Sequence, residues 1–156
     1  LNIALKNFEY ILHNTQFDQG INSALTVTAV PGMPAMVKYI NECSKIKPIY
    51  WSMMKANQHD MDPRPYMYPG IFGKKINEWG LREAIESFDT NSHGFPDSVK
   101  VNHKEYMNGI MKEFDSREPS LVRQKQLKTY LTELDRRRGT DWTKIYPQMY
   151  NEMKDL

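Results

Sequence analysis

Two strand-like segments separated by one helix constrain this chain most, because that order admits one common connection. Residues Ala24–Val30 and Pro48–Met54 are rich in β-branched and aromatic side chains, which favour strands of about five to six residues. Between them Pro34 suits a first helical turn, where its missing N–H is not needed. One apolar helical face then comprises Met36, Val37, Ile40 and Cys43. A helix between two strands predicts a parallel, right-handed crossover.

Three hydroxyls stand in the two predicted strands, at Thr26, Thr28 and Ser52. Fully buried parallel strands usually lack polar residues on either face, so these hydroxyls indicate a face that lines a cavity. The alternative is that each one bonds nearby backbone. The loop 55–72 leaves the carboxyl end of the second strand, where α/β proteins place ligand-binding groups.

The remaining sequence predicts helices. They are expected over Asn2–Asn14 and Gly73–Phe88, with Gly80 as a break. Further predicted helices run from a capping box at Asn102 to about Phe114, from Pro119 to a stop at Gly139, over Asp141–Tyr146 with Thr140 as cap, and onward from Pro147.

A sheet of only two parallel strands is marginal, since parallel strands need neighbours and covered faces. We therefore expect a further strand in 15–23 or 95–103, or a sheet that continues in chain outside this sequence. The chain begins at Leu1 without an initiator Met, which is consistent with a segment of a longer protein and equally with processing or trimming.

Composition excludes several classes of protein. Lys plus Arg (21) nearly balances Asp plus Glu (19), so the net charge of +2 indicates neither DNA nor an anionic membrane as a partner. No apolar run approaches the ~18 residues of a membrane span, which predicts a cytoplasmic protein without a membrane partner. The single cysteine, Cys43, excludes a cysteine-built metal site made from this chain alone, and we predict no metal ligands here.

Two charged clusters have ordinary explanations. His59, Asp60 and Asp62 could begin a metal site, but no second ligand pair lies at a recognised spacing, so chance clustering is the better interpretation. The basic helix 117–138 ends in Arg136–Arg138 and could contact nucleic acid. Completion of the helix dipole is the simpler account, so nucleic acid is not the favoured partner.

Three stretches together resemble one family. They are LTVTAVPGMPAMVKYI (25–40), PIYWSMM (48–54) with the loop after it, and YLTELDRRRGTDWTKIYPQM (130–149). The third is the most specific, being similar to a closing Leu-Asp-x-x-Arg-Gly-Thr segment. This combination resembles the C-terminal part of radical S-adenosylmethionine proteins of the twitch-domain type, many of them phage-associated, over nearly the whole chain.

The resemblance implies an α/β fold, a partial parallel (β/α) barrel segment with a helical C-terminal region. Residues 1–90 would be the last β/α units, and 91–156 a helical closing region on the same core. It also implies S-adenosylmethionine and an iron–sulfur cluster as cofactors, with the cluster ligands outside this chain. Cofactor-lining residues would be Thr26, Thr28 and Ser52. Candidates for substrate contact would be Lys55, Asn57, Arg64 and Tyr66.

By this resemblance the chain is the C-terminal segment of an enzyme that generates a 5′-deoxyadenosyl radical. That radical would abstract hydrogen from an unknown small-molecule or peptide substrate. The partner would then be the missing N-terminal part of the same polypeptide. The alternative is a small phage-type binding or accessory module that touches nucleic acid through helix 117–138. No catalytic residue is assigned, because no catalytic motif occurs in the chain.

Overall fold

A computed structural model describes residues 2–16, 18–56, 64–90 and 96–156 of the protein. The α-helices are α1 (Asn2–Asn14), α2 (Met33–Ile46), α3 (Leu81–Thr90), α4 (Asp97–Asp115), α5 (Leu121–Arg138), α6 (Trp142–Ile145) and α7 (Pro147–Met153). The strands are β1 (Gln19–Leu25) and β2 (Ile49–Lys55), and 3₁₀ segments cover Val30–Gly32, Pro65–Met67 and Pro69–Trp79.

The two strands pair in parallel, as the sequence predicts. Gln19 lies opposite Ile49, and the register runs without interruption to Leu25 opposite Lys55. Helix α2 connects the strands, so β1-α2-β2 is the predicted crossover unit. Within the described ranges the sheet has these two strands, and each therefore has one edge that no other strand pairs with.

The predicted position of the first strand is wrong. Only residues 24 and 25 of Ala24–Val30 belong to β1, which begins at Gln19. The chain turns immediately after β1: the N–H groups of Ala29 and Val30 donate to the Thr26 carbonyl, at 3.0 and 3.3 Å. Val27 and Val30 are fully buried in this turn. The apolar side chains that suggested a strand thus reach the core without one, because strand preference depends mainly on how residues pack.

The corrected bounds of β1 also bear on the further strand expected in 15–23 or 95–103. The segment 15–23 contains most of β1 itself, not an additional strand. The described part of 95–103 is helical from Asp97 onward. In the part of the chain that the structure describes, the sheet has the two strands that the pattern identified, and the first begins about five residues earlier than predicted.

A layer of helices covers one face of the sheet. Trp51 of β2 is 4% exposed, and its ring stacks on His103 of α4, with centroids 4.7 Å apart, and on Phe88 of α3, at 6.0 Å. Its indole N–H donates to the Ser23 hydroxyl of β1 at 2.6 Å. One continuous cluster of buried side chains extends from this face to Met149 of α7, drawing on both predicted segments, 1–90 and 91–156.

Several helix boundaries differ from the predictions. The predicted helix over Gly73–Phe88 is two elements, a 3₁₀ segment that starts at Pro69 and helix α3, and the break at Gly80 is confirmed. Helix α4 begins at Asp97, so Asn102 lies inside it and caps nothing. Ser120 caps α5 by accepting from the Arg123 N–H, and Asp141, not Thr140, caps α6.

The end of α5 follows its sequence signal. Gly139 has φ 64° and ψ 31°, the left-handed conformation that stops a helix at low cost only for glycine. The fold is thus mixed α/β, a small parallel sheet with a mostly helical surround. Across the described ranges, every helix is too short or too polar to traverse a lipid bilayer.

Candidate functional site

The face of the sheet opposite Trp51 is open to solvent. Its central pair is Asn22 and Ser52, which lie opposite each other in the register. On either side of Ser52, the side chains of Tyr50 and Met54 are 75% and 73% exposed. Two large exposed side chains flank a polar pair here, so we take this open face as the candidate surface for a ligand or a further chain.

A charged cluster closes the carboxyl end of β2. Lys55 and Tyr68 both donate to the carboxylate of Glu113 in α4, Lys55 to Oε2 and Tyr68 to Oε1. The guanidinium of Arg117 adds an ion pair to the same carboxylate, 3.2 Å from Oε1. The Lys55 backbone N–H donates to the Tyr106 hydroxyl at 2.9 Å. We call Lys55, Tyr68, Glu113 and Arg117 the Glu113 cluster.

Burial and charge set the protonation of this cluster. Burial opposes ionisation of Glu113, but hydrogen bonds from Lys55 and Tyr68 outweigh it and hold the pKa of this carboxyl below its ordinary value. Burial, together with the hydrogen bond to Glu113, raises the pKa of the Tyr68 phenol. At neutral pH Glu113 is therefore a carboxylate and Tyr68 a neutral donor, so the cluster is a fixed electrostatic anchor for the end of β2.

The structure separates the residues predicted to line a cofactor. Ser52 lies on β2 as predicted, but Thr26 and Thr28 lie in the turn after β1, so the prediction that they share a strand face with Ser52 is wrong. The two threonine hydroxyls lie 3.2 Å apart and bond each other. Thr28 lines a cavity of about 310 Å³ beneath the end of α5, whereas Ser52 lines a shallow groove between β2 and α4.

The predicted substrate contacts fall into different places. Lys55 belongs to the Glu113 cluster, with its side chain 19% exposed. Arg64 is exposed and precedes the 3₁₀ turn Pro65–Met67. The ring of Tyr66 packs against Tyr130 of α5, with centroids 5.3 Å apart. Asn57 lies outside the described residues, and so do His59, Asp60 and Asp62, the residues considered above as the start of a metal site. Among the described residues no group of three metal-ligating side chains occurs.

The basic end of α5 is partly neutralised. Arg136 and Arg137 both bond Glu133, at 2.8 and 2.7 Å, and these contacts lower the pKa of Glu133 to about 2. Lys75 pairs with Glu152. Cys43 is buried, and burial raises the pKa of its thiol, which fits a packing role better than a nucleophilic one.

Sequence reasoning missed Glu113 and Tyr68. Glu113 is 58 residues from Lys55 along the chain, and it reads locally as one more exposed residue of an amphipathic helix. The available signal was weak: Glu113 and Arg117 stand four residues apart, the spacing of an ion pair on one helical face. Comparison of the chain with family models, with curated proteins and with solved structures finds no match.

Proposed function

We propose that this chain is the C-terminal segment of a radical S-adenosylmethionine enzyme and forms the last β/α unit of a partial (β/α) barrel. The observation that carries the proposal is the arrangement of the sheet: two parallel strands are covered by helices on one face and open on the other. A barrel strand has this asymmetry, with helices outside and ligand-facing residues inside.

The open face has the chemistry that the proposal requires. Asn22 and Ser52 offer polar atoms at its centre. The Glu113 cluster holds Lys55 at the carboxyl end of β2, on the side of the covered face. In β/α barrels this end carries the binding groups. Each strand also has one edge to which a further strand of the polypeptide could bind. In this proposal the residues that line the ligand site on the open face are Ser52 and its partner Asn22. Thr26 and Thr28 are no longer included, because they lie in the turn after β1.

The residues of this chain do not fit an iron–sulfur cluster. Three thiolates are needed beside S-adenosylmethionine in the proposed family, and Cys43 is the single cysteine here. Its side chain is buried in α2. The cluster ligands would therefore belong to other parts of the polypeptide, and residues 1–156 would orient the substrate and exclude water.

The test uses the complete reading frame that encodes this chain. We expect a Cys-x-x-x-Cys-x-x-Cys motif upstream, iron–sulfur absorbance after anaerobic reconstitution, and cleavage of S-adenosylmethionine to 5′-deoxyadenosine. Ser52→Ala should lower the cleavage rate about fivefold, the effect of one lost hydrogen bond, while Ser87→Ala in α3 should not. A reconstituted full-length protein without cluster absorbance or cleavage would refute the proposal.

One observation favours the alternative, a nucleic-acid-binding module. The paired rings of Tyr66 and Tyr130 border an open groove of about 490 Å³ beside Lys125, and aromatic rings next to a cation suit single-stranded bases. This function predicts oligonucleotide binding that weakens steeply with salt and is lost in Tyr130→Ala. Binding that is independent of salt, or unchanged in that variant, would exclude it.

A further inference from the structure

The cavity beneath the end of α5 is built almost entirely from one stretch of sequence. Its volume is about 310 Å³, and its apolar lining includes Leu131, Leu134, Trp142 and Ile145. The two lining residues from other parts of the sequence are Thr28 and Met67. A volume near the lower end of ~300–1,000 Å³ for ligand pockets suits a compound with one ring and a short side chain.

The charged side chains at and near this cavity differ in whether other residues of the protein already bind them. Asp135 lines it, but one carboxylate oxygen accepts from the Thr140 hydroxyl and the other accepts from the Trp142 N–H at 2.6 Å. Asp135 thus holds the turn between α5 and α6. Its two neighbours Arg136 and Arg137 are bound to Glu133.

Arg138 differs from these two arginines. It lines the cavity, its side chain is exposed, and no ion-pair partner for it occurs in the described part of the chain. A guanidinium presents five N–H donors in a rigid fork that matches a carboxylate with two parallel hydrogen bonds. The dipole of α5 already has two other arginines in its last turn, so Arg138 is not required for that purpose.

We infer that this cavity binds a small aromatic monocarboxylate, with its carboxylate on Arg138 and its ring among Leu131, Leu134 and Trp142. A single negative charge is preferred to a phosphate dianion because the carboxylate of Asp135 borders the same space and repels additional negative charge. Tyr146 also lines the cavity. Burial raises the pKa of its phenol, so the hydroxyl remains a donor at neutral pH.

This site lies apart from the open face of the sheet and does not depend on the proposed radical chemistry. Ser52 and Asn22 do not line the cavity, and no cluster or S-adenosylmethionine is needed to fill it. Binding can therefore be measured without either cofactor.

The test is calorimetric titration of the protein with phenylacetate, with intrinsic tryptophan fluorescence, to which Trp142 at the cavity contributes, as a second readout. We expect saturable binding, and binding about tenfold weaker for the neutral isostere phenylacetamide, because the charge-assisted pair with the guanidinium is lost. Arg138→Gln should weaken phenylacetate binding about tenfold and leave phenylacetamide binding unchanged. Arg137→Gln is the matched control, since Arg137 is adjacent and bound to Glu133, and it should change neither.

Three results would overturn the inference. The first is no binding by the folded protein at about 10 mM phenylacetate, a concentration that detects dissociation constants up to about 10 mM. The second is equal loss in the two arginine variants, which would indicate a general charge effect. The third is tighter binding of benzylamine than of phenylacetate, which would make Asp135 the recognising group. Thermal unfolding of each variant verifies that the fold is intact.

Discussion

The two faces of the small sheet are made from alternate residues of the same strands, yet they have opposite surroundings. On the covered face Trp51 is 4% exposed and contacts two helices, while its neighbour Tyr50 on the open face is 75% exposed. On β1 the same alternation separates Ser23, which bonds the Trp51 indole, from the exposed Asn22.

This difference teaches which residues serve folding and which are available for function. A side chain on the covered face lies in the continuous core, so its removal leaves a cavity. A side chain on the open face makes few contacts within the folded chain and is therefore accessible to other molecules. Stability measurements can therefore test the assignment of each face separately.

The largest effect is expected for Trp51→Ala. The substitution removes a large buried ring and its hydrogen bond to Ser23, and should lower the free energy of unfolding by about 4 kcal/mol. Urea denaturation followed by circular dichroism measures this, with Tyr50→Ala as the matched control on the open face at a change below about 1 kcal/mol. Similar losses in the two variants would show that the faces do not differ.

The helical layer behind the covered face depends on close backbone contact at Gly80. A Cβ added there would lie 2.2 Å from the carbonyl oxygen of Val30, so Gly80→Ala should cost about 2 kcal/mol. The control is Gly109→Ala in α4, where a Cβ meets nothing within 4 Å. It should stabilise the protein by about 0.5–1 kcal/mol, because alanine is the better helix former. Equal responses in thermal unfolding would mean that the layers are not packed as described.

The Glu113 cluster joins the covered face to α4, and its contribution should depend on pH. Glu113→Gln removes the charge that Lys55 and Arg117 share, at a cost of about 1.5 kcal/mol near pH 7. Because the folded state lowers the pKa of Glu113, this contribution is present above its ordinary pKa of 4.5 and is lost as the pH falls through the lower folded value.

Denaturation of wild type and Glu113→Gln from pH 7 to pH 3 measures this dependence. The difference between the two proteins should be constant down to about pH 5 and then shrink. Tyr68→Phe is the control for the uncharged hydrogen bond and should show a smaller cost. A difference that grows on acidification would contradict the assigned protonation states.

The smallest effect is expected on the open face itself. Met54→Gln should change the free energy of unfolding by less than about 0.5 kcal/mol, because the side chain is 73% exposed. The measurement is repeated at two protein concentrations a factor of ~100 apart, since association would stabilise the folded state by mass action. A loss above about 1 kcal/mol, or one that varies with concentration, would show that another copy of the chain buries this face.

The sequence predicts the order and direction of the elements better than the site. The parallel crossover, the β2 strand, the break at Gly80 and the stop at Gly139 are all confirmed, and each follows from a local preference or a short spacing. The predicted position of β1 was wrong because the β-branched residues that suggested a strand are buried equally well in the turn 26–30. The ligand roles predicted for Ser52, Lys55, Arg64 and Tyr66 stay predictions.

By itself, the sequence determined the order of the elements, the end of α5 at Gly139 and which residues of β2 share a face, since periodicity and glycine conformations are properties of adjacent residues. Only the tertiary structure decided that Lys55 meets Glu113 and that Thr28 and Ser52 border different spaces. The physical reason is that such contacts join residues distant in the chain, and packing, not local preference, brings them together.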